Sequence, residues 1–252
     1  MKVKRKYLLR KSPKNLTKSK FCAAHFKTAE ILPKVVDLRN LQSPVKDQGE
    51  LGYCFAFATV GLREYLELKN QKPFTSLSEL FLGYEAKESE GDAGKDTGCT
   101  IDAAMQTLQY KGTCEESLMP YKDTVAAIQI EPSLNQCNDA YTYCINNYQE
   151  IDNLTMLKVC LAEGGVAVIG IEVYDSFESD EVEATGVVPM PNKSTETCQG
   201  GHAVLVVGYD DTKQHCIVKN SWSSGWGDKG YFYLPYGFFN DSDLVTDMYT
   251  GS

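Results

Sequence analysis

The stretch Gln48-Gly49-Glu50-Leu51-Gly52-Tyr53-Cys54-Phe55-Ala56-Phe57 passes from a glycine-broken turn into a helical pattern. Beyond the turn Phe55, Ala58, Leu62, Tyr65 and Leu66 recur every three or four positions, the spacing of one helix face. Cys54 therefore falls at a helix N-terminus, where the macrodipole and unpaired N–H groups stabilise a thiolate. Six residues upstream, Gln48 carries an amide that can donate to the same point. With the Cys54 backbone N–H it would form an oxyanion hole. Taken singly these features are weak, because a cysteine is more often a small core residue.

Moving outward, residues 77–86 read as a short helix begun by Ser76 or Ser78, with Ser78 and Phe81 in a capping arrangement. Residues 88–98 form a polar, glycine-containing loop. Residues 101–110 read as a helix ended by Lys111-Gly112, and residues 131–147 as irregular chain. Asp152 or Asn153 caps a further helix through Leu161. From there strands dominate, at residues 166–173, 203–209, 216–219 and 231–234. Helices gather in the first half and strands in the second, which predicts an α+β protein of two lobes. The main body spans 36–252, with a helical lobe mainly over 45–125 and a strand-rich lobe mainly over 126–240. It is preceded by an extended arm, residues 1–35.

Three histidines narrow the chemistry. His25 lies in the arm and reads as solvated; His215 sits beside a turn and reads as structural or exposed. His202 follows Gly200-Gly201, which clears side-chain bulk from its approach, and leads into the apolar run Ala203-Val204-Leu205-Val206-Val207. If Asp210-Asp211-Thr212-Lys213 is the hairpin turn, antiparallel partners sum to 422 or 423, which sets Asn220 opposite His202. An imidazole and an amide so opposed can hydrogen-bond. The alternative is that Asn220 merely begins a loop.

Together these residues resemble papain-like cysteine peptidases. Residues 48–57 resemble the family's nucleophile segment, and Gly200-Gly201-His202-Ala203-Val204 its histidine segment. Lys219-Asn220-Ser221-Trp222-Ser223-Ser224-Gly225-Trp226-Gly227 resembles its asparagine segment. They occur in family order, and Cys54 precedes His202 by 148 positions, within the expected interval of about 130–150. The Asp-Gln-Gly-x-Leu-Gly form at residues 47–52 is closest to compact bacterial-type members. The resemblance implies a two-lobe fold, one lobe helical and one barrel-like, with the active cleft between them. It implies Cys54 as nucleophile, His202 as general base and acid, Asn220 orienting His202, Gln48 supporting the oxyanion and Trp222 shielding the His–Asn contact. Gly52, Tyr53, Gly201 and Trp222 would line the substrate site, with Tyr53 narrowing the cleft or facing elsewhere. Leu51 stands where many relatives carry a disulfide cysteine. Thr100-Ile101 fall near a substrate-binding Gly-Gly pair of the relatives, which puts main-chain recognition in question. The expected activity is peptide hydrolysis through a thioester, without metal or organic cofactor. A catalytically inactive binding module, and an acyl-transfer enzyme such as a transpeptidase or exopeptidase, are the alternatives.

Composition sets the outer bounds. Of 252 residues, 42% are hydrophobic and 23% charged, values of an ordinary globular chain. No run of 18 apolar residues occurs, so no spanning helix is expected, and no apolar secretion core follows the basic N-terminus. The compartment is left open. The net charge of −9 divides unevenly: residues 1–39 hold 12 Lys/Arg against two acids, and residues 40–252 hold 13 against 32. An acidic body does not suit nucleic acid; the basic arm could touch nucleic acid or anionic lipid, remain a solvated tail, or dock on that same body and partly cover the cleft as an inhibitory, propeptide-like segment. Nine cysteines without zinc spacing read as buried or free thiols.

Overall fold

A computed structural model describes residues 4–14, 18–23 and 32–252; His25 lies outside them. Seven helices and seven strands occur among the described residues. β1 (Val35–Asp37) enters the body, followed by α1 (Cys54–Lys69), α2 (Glu79–Ser89), α3 (Ile101–Tyr110), and the short α4 (Val125–Ile128) and α5 (Leu134–Ala140). β2 (Tyr148–Glu150), α6 (Leu154–Ala162), β3 (Ala167–Tyr174) and α7 (Asp180–Thr185) come next. The chain closes with β4 (Cys198–Asp210), β5 (His215–Lys219), β6 (Tyr231–Pro235) and β7 (Val245–Gly251).

Helix ends follow local chemistry. Ser78 Oγ accepts from Phe81 N at 3.1 Å, Thr100 Oγ1 from Ala103 N at 3.2 Å, and Asn153 Oδ1 from Met156 N at 3.0 Å. Residues 131–147 are not wholly irregular. Ser133 and Gln136 form a reciprocal capping box that starts α5, a signal hidden by the absence of an apolar run. α1 is buried on every side from Cys54 to Tyr65, which makes it the central helix of the molecule.

The sheet is antiparallel and open, in the order β2-β7-β3-β4-β5-β6, with β1 pairing β4 beyond the end of β3. It is not a closed barrel. β7 carries the strand-rich half past residue 240, because Val168–Ile171 and Tyr148–Glu150 pair with it from either side. Along β4 the side chains alternate. Ala203, Leu205 and Val207 join the core beneath α1 to α3, while Val204, Val206 and Tyr209 join a second core with Phe177, Trp222, Trp226 and α6. Truncating a fully buried residue of this kind, such as Leu62, costs about 2–5 kcal/mol. Among the described residues, no helix is long and apolar enough to cross a membrane.

Candidate active site

Gln48, Cys54, His202 and Asn220 arrive from four segments that the backbone stitches together. Gln48 N donates to Ser221 O at 2.9 Å and Ser223 N to Lys46 O at 3.1 Å, which ties the turn before α1 to the segment after β5. Gly49, at φ +62, makes that turn next to the Asp123 carboxylate, which a Cβ at position 49 would strike. Asp123 accepts from Glu50 N at 2.9 Å and from Leu51 N at 3.1 Å. Cys54 is then the first residue of α1, and its N-cap, Tyr53, contributes no side-chain bond. The Cys54 and Phe55 N–H groups are left to the thiol, while Ala56 and Phe57 donate to Tyr53 O.

His202 sits on β4, and one ring nitrogen meets Asn220 directly: Nε2 lies 2.9 Å from Asn220 Oδ1. An amide oxygen only accepts, so Nε2 carries the proton and Nδ1 is the basic nitrogen of the neutral ring. Ser221 N donates to the same Oδ1 at 2.9 Å and fixes the amide's orientation. The contact is made although the expected register is wrong. Asp210 pairs with His215, which shifts the four-residue turn to residues 211–214, and an irregularity between Val206 and Gly208 brings Leu205 opposite Lys219. The sums are 425 and then 424, so Asn220 reaches His202 diagonally, from just beyond the end of β5. Trp222 stacks on the imidazole with centroids 4.8 Å apart.

Gln48 is held on both sides of its amide. Ser221 Oγ donates to Oε1 at 2.6 Å, and Nε2 donates to Leu51 O at 2.9 Å. Ser221, not singled out from the sequence, thus links the asparagine segment to the glutamine; its signal was adjacency to Asn220. Asp96 is a second unforeseen neighbour. It accepts from Gly52 N at 2.9 Å, out of a loop with no pattern to reveal it.

Cys54 and His202 are almost wholly buried. Burial pushes the Cys54 thiol up to about 11, against the opposing pull of the Ala203, Phe55 and Cys54 backbone N–H groups. The Ala203 contact sets the sulfur against the residue that follows His202. Burial also drives the imidazole down to about 4, with the Asn220 bond opposing it. Near neutral pH, then, both groups are uncharged in this form of the molecule.

Much of the cover comes from the arm. Tyr7 stands edge-on to both His202 and Trp222, with centroids 6.1 Å away, and the Arg5 guanidinium lies 4.3 Å over the Trp222 ring. Leu9 N donates to Gly201 O and Arg10 N to Cys99 O, each at 3.1 Å. Cβ atoms at Gly200 and Gly201 would fall 2.3 and 2.6 Å from the Tyr7 and Leu9 carbonyl oxygens, so these glycines clear space for main chain. Gly52 instead faces the Leu8 side chain, whose Cδ1 a Cβ there would meet at 2.8 Å. On the opposite wall the arm's backbone meets Gly98 to Thr100: Arg10 bridges Thr100, whose side chain also caps α3. Tyr53 departs from the expected cleft position. It is fully buried, with its ring packed on Gly83 of α2 and 5.4 Å from Phe55, so it belongs to the core. His215 stacks on Tyr233 at 4.7 Å, far along β5. All nine cysteines are free thiols, and among the described residues no cluster of three or more His, Cys, Asp or Glu is placed to hold a metal.

The chain is similar to known proteins in sequence and fold. Residues 32–251 match the profile of the papain family cysteine proteases. An uncharacterized peptidase C1-like protein of Acanthamoeba polyphaga mimivirus is 33% identical over 241 residues, 88% of this chain and 76% of its own length. Cathepsin K of Gallus gallus is 32% identical over 80% of this chain, which spans 58% of that relative. The crystal structure of xylellain, a cysteine protease from Xylella fastidiosa, superposes with a TM-score of 0.90 at 30% identity, covering 100% of this chain and 98% of that one. The chain belongs to the papain family of cysteine proteases.

Proposed function

We propose that this chain hydrolyses polypeptides as an endopeptidase, with Cys54 as nucleophile, His202 as general base and acid, and Asn220 orienting the ring. The observation that carries the reading is the His202 Nε2–Asn220 Oδ1 bond at 2.9 Å beside a cysteine that opens α1. His202 Nδ1 takes the thiol proton and the sulfur attacks the peptide carbonyl. The oxyanion is met by the Cys54 N–H and the second Gln48 amide N–H, the first being spent on Leu51 O. The imidazolium then protonates the leaving amine, and the neutral ring takes a proton from water as that water displaces the thioester. Gly52, Gly201 and the Trp222 face line the substrate's path, positions that the arm touches here.

The same reading makes the arm a cover. With residues 4–14 in place, the thiol and imidazole are dry and neutral. Withdrawing the arm would admit water and favour the thiolate–imidazolium pair. A peptide-based thiol-reactive probe, with mass-spectrometric mapping of the adduct, tests the assignment: it should mark Cys54 alone. Cys54→Ala should reduce peptide hydrolysis by at least about 10³-fold while leaving the fold's circular dichroism unchanged. Adducts spread over several cysteines, or activity surviving in Cys54→Ala, would overturn it. Internal cleavage of end-blocked peptides separates an endopeptidase from an exopeptidase.

A further inference from the structure

The arm's cations are seated one by one on carboxylates that border the cleft. Lys6 Nζ lies 2.5 Å from Asp96 Oδ2. Arg10 pairs with Glu90, and with Asp92 at 3.5 Å. Lys11 lies 3.9 Å from Glu172, and Arg5 is drawn by Glu178, Asp47 and Glu183 while it covers Trp222. These acids come from the turn before α1, the loop after α2, β3, and α7 with the segment before it. They belong to both walls and are held together only by the fold. Of the nearby body cations, Lys95 shares Asp92 with the arm and Lys87 pairs with none of these acids. Lys87 Nζ is turned inward to Gly98 O at 2.7 Å, and Lys95 meets only Asp92, at 3.2 Å.

Resting on the peptidase reading above, we propose that the cleft selects polypeptides dense in lysine and arginine, and that Asp96, Glu90, Asp92 and Glu172 are the specificity-determining residues. When the arm's first segment leaves, Asp96, Glu90 and Glu172 lose their counter-ions and Asp92 keeps only Lys95, so that like charges gathered beside the cleft focus the field and draw in cations. A substrate rich in Lys and Arg restores the pairs that the arm made. A neutral or acidic one leaves them unpaired or repelled. The acids under the arm's other footing, Asp102, Glu150 and Asp152, are neutralised by Lys18 and Lys20 and take no part.

Two quenched fluorogenic peptides of equal length, one carrying Lys/Arg and the other Gln at the same positions, test this on the full-length chain. Arm occupancy scales both kcat/KM values alike and cancels in their ratio. The expected ratio favours the cationic peptide by roughly tenfold or more at low salt, and falls several-fold at about 0.5 M salt as the charges are screened. It also falls several-fold in Glu90→Gln/Asp92→Asn/Glu172→Gln. A ratio near one, or a preference that neither salt nor these substitutions reduce, would overturn the proposal. If neither peptide is cut, the peptidase reading itself fails. Binding of the same pair as D-amino-acid peptides to full-length Cys54→Ala, followed by tryptophan fluorescence, then decides the charge preference. Tighter binding of the cationic peptide upholds it and equal binding overturns it.

Discussion

The arm meets the body at two places, and they differ in kind. Across the cleft, Arg5 to Arg10 use two backbone bonds and a cluster of rings to cover the His202–Asn220 contact. Along the sheet edge, Ser19 to Phe21 lie beside β2: Glu150 N donates to Ser19 O at 2.9 Å and Phe21 N to Glu150 O at 2.8 Å. The edge footing extends a sheet whose last strand would otherwise present unpaired groups, and it competes with no substrate. On the proposed peptidase reading, the cleft footing occupies the space that a peptide needs. One segment can therefore be displaced while the other keeps the arm tethered, at a high effective concentration for return.

The largest effect should come from breaking the cleft footing. The tip of Leu9 sits close to Gly170, in the space shared with Ile101 and Thr246. Leu9→Asp would place a carboxylate in that apolar seat and weaken the contact by at least about 1.4 kcal/mol. Peptide hydrolysis by the full-length chain should rise about tenfold, read as initial rate; an unchanged rate would mean that the arm does not limit access. The same variant should move Cys54 alkylation. In the covered form the thiol ionises only near pH 11, so alkylation should stay slow at neutral pH and climb with alkalinity, and Leu9→Asp should shift that climb to lower pH. Coincident profiles for the two proteins would break the link between cover and ionisation.

Edge substitutions should do less. Lys18 is nearly buried, 2.7 Å from Asp102 and over the Tyr249 ring at 4.9 Å. Lys18→Met should raise the rate a few-fold, consistent with about 1 kcal/mol for a partly desolvated cation–π and ion-pair contact. Lys20 is half exposed between Glu150 and Asp152, and such exposed pairs contribute about 0–1 kcal/mol. Lys20→Gln should change the rate least of all. An edge substitution that released the enzyme more than Leu9→Asp would reverse the ranking and make the sheet edge the controlling contact.

Much of the site was legible because its signals are local or belong to short motifs. Cys54 at a helix start follows from glycines and periodicity within ten residues, and Asn220 follows from its run with Trp222. The hairpin arithmetic reached the right pair through the wrong register, because a strand irregularity near Val207 and a turn shifted by one residue leave no mark in the pattern. Tyr53 could not be oriented, since an aromatic beside a nucleophile fits a cleft wall or a core equally well until Gly83 is seen beneath it. β7 and α5 lacked a long apolar or periodic run, and were settled by pairing with distant strands and by a capping box.

By itself the sequence determined where helices begin, which half carries the strands, which three segments hold the reactive groups, and that a basic leader precedes an acidic body. Each of these is written in neighbouring residues or in simple counts. Only the tertiary structure decided which carboxylate receives which lysine, which backbone carbonyls meet the arm, and that Ser221 holds Gln48. Those contacts join residues as much as 192 positions apart, from Leu9 to Gly201. Propensity acts over a few neighbours, whereas such pairs exist only once the strands have chosen their register and the helices have packed against them.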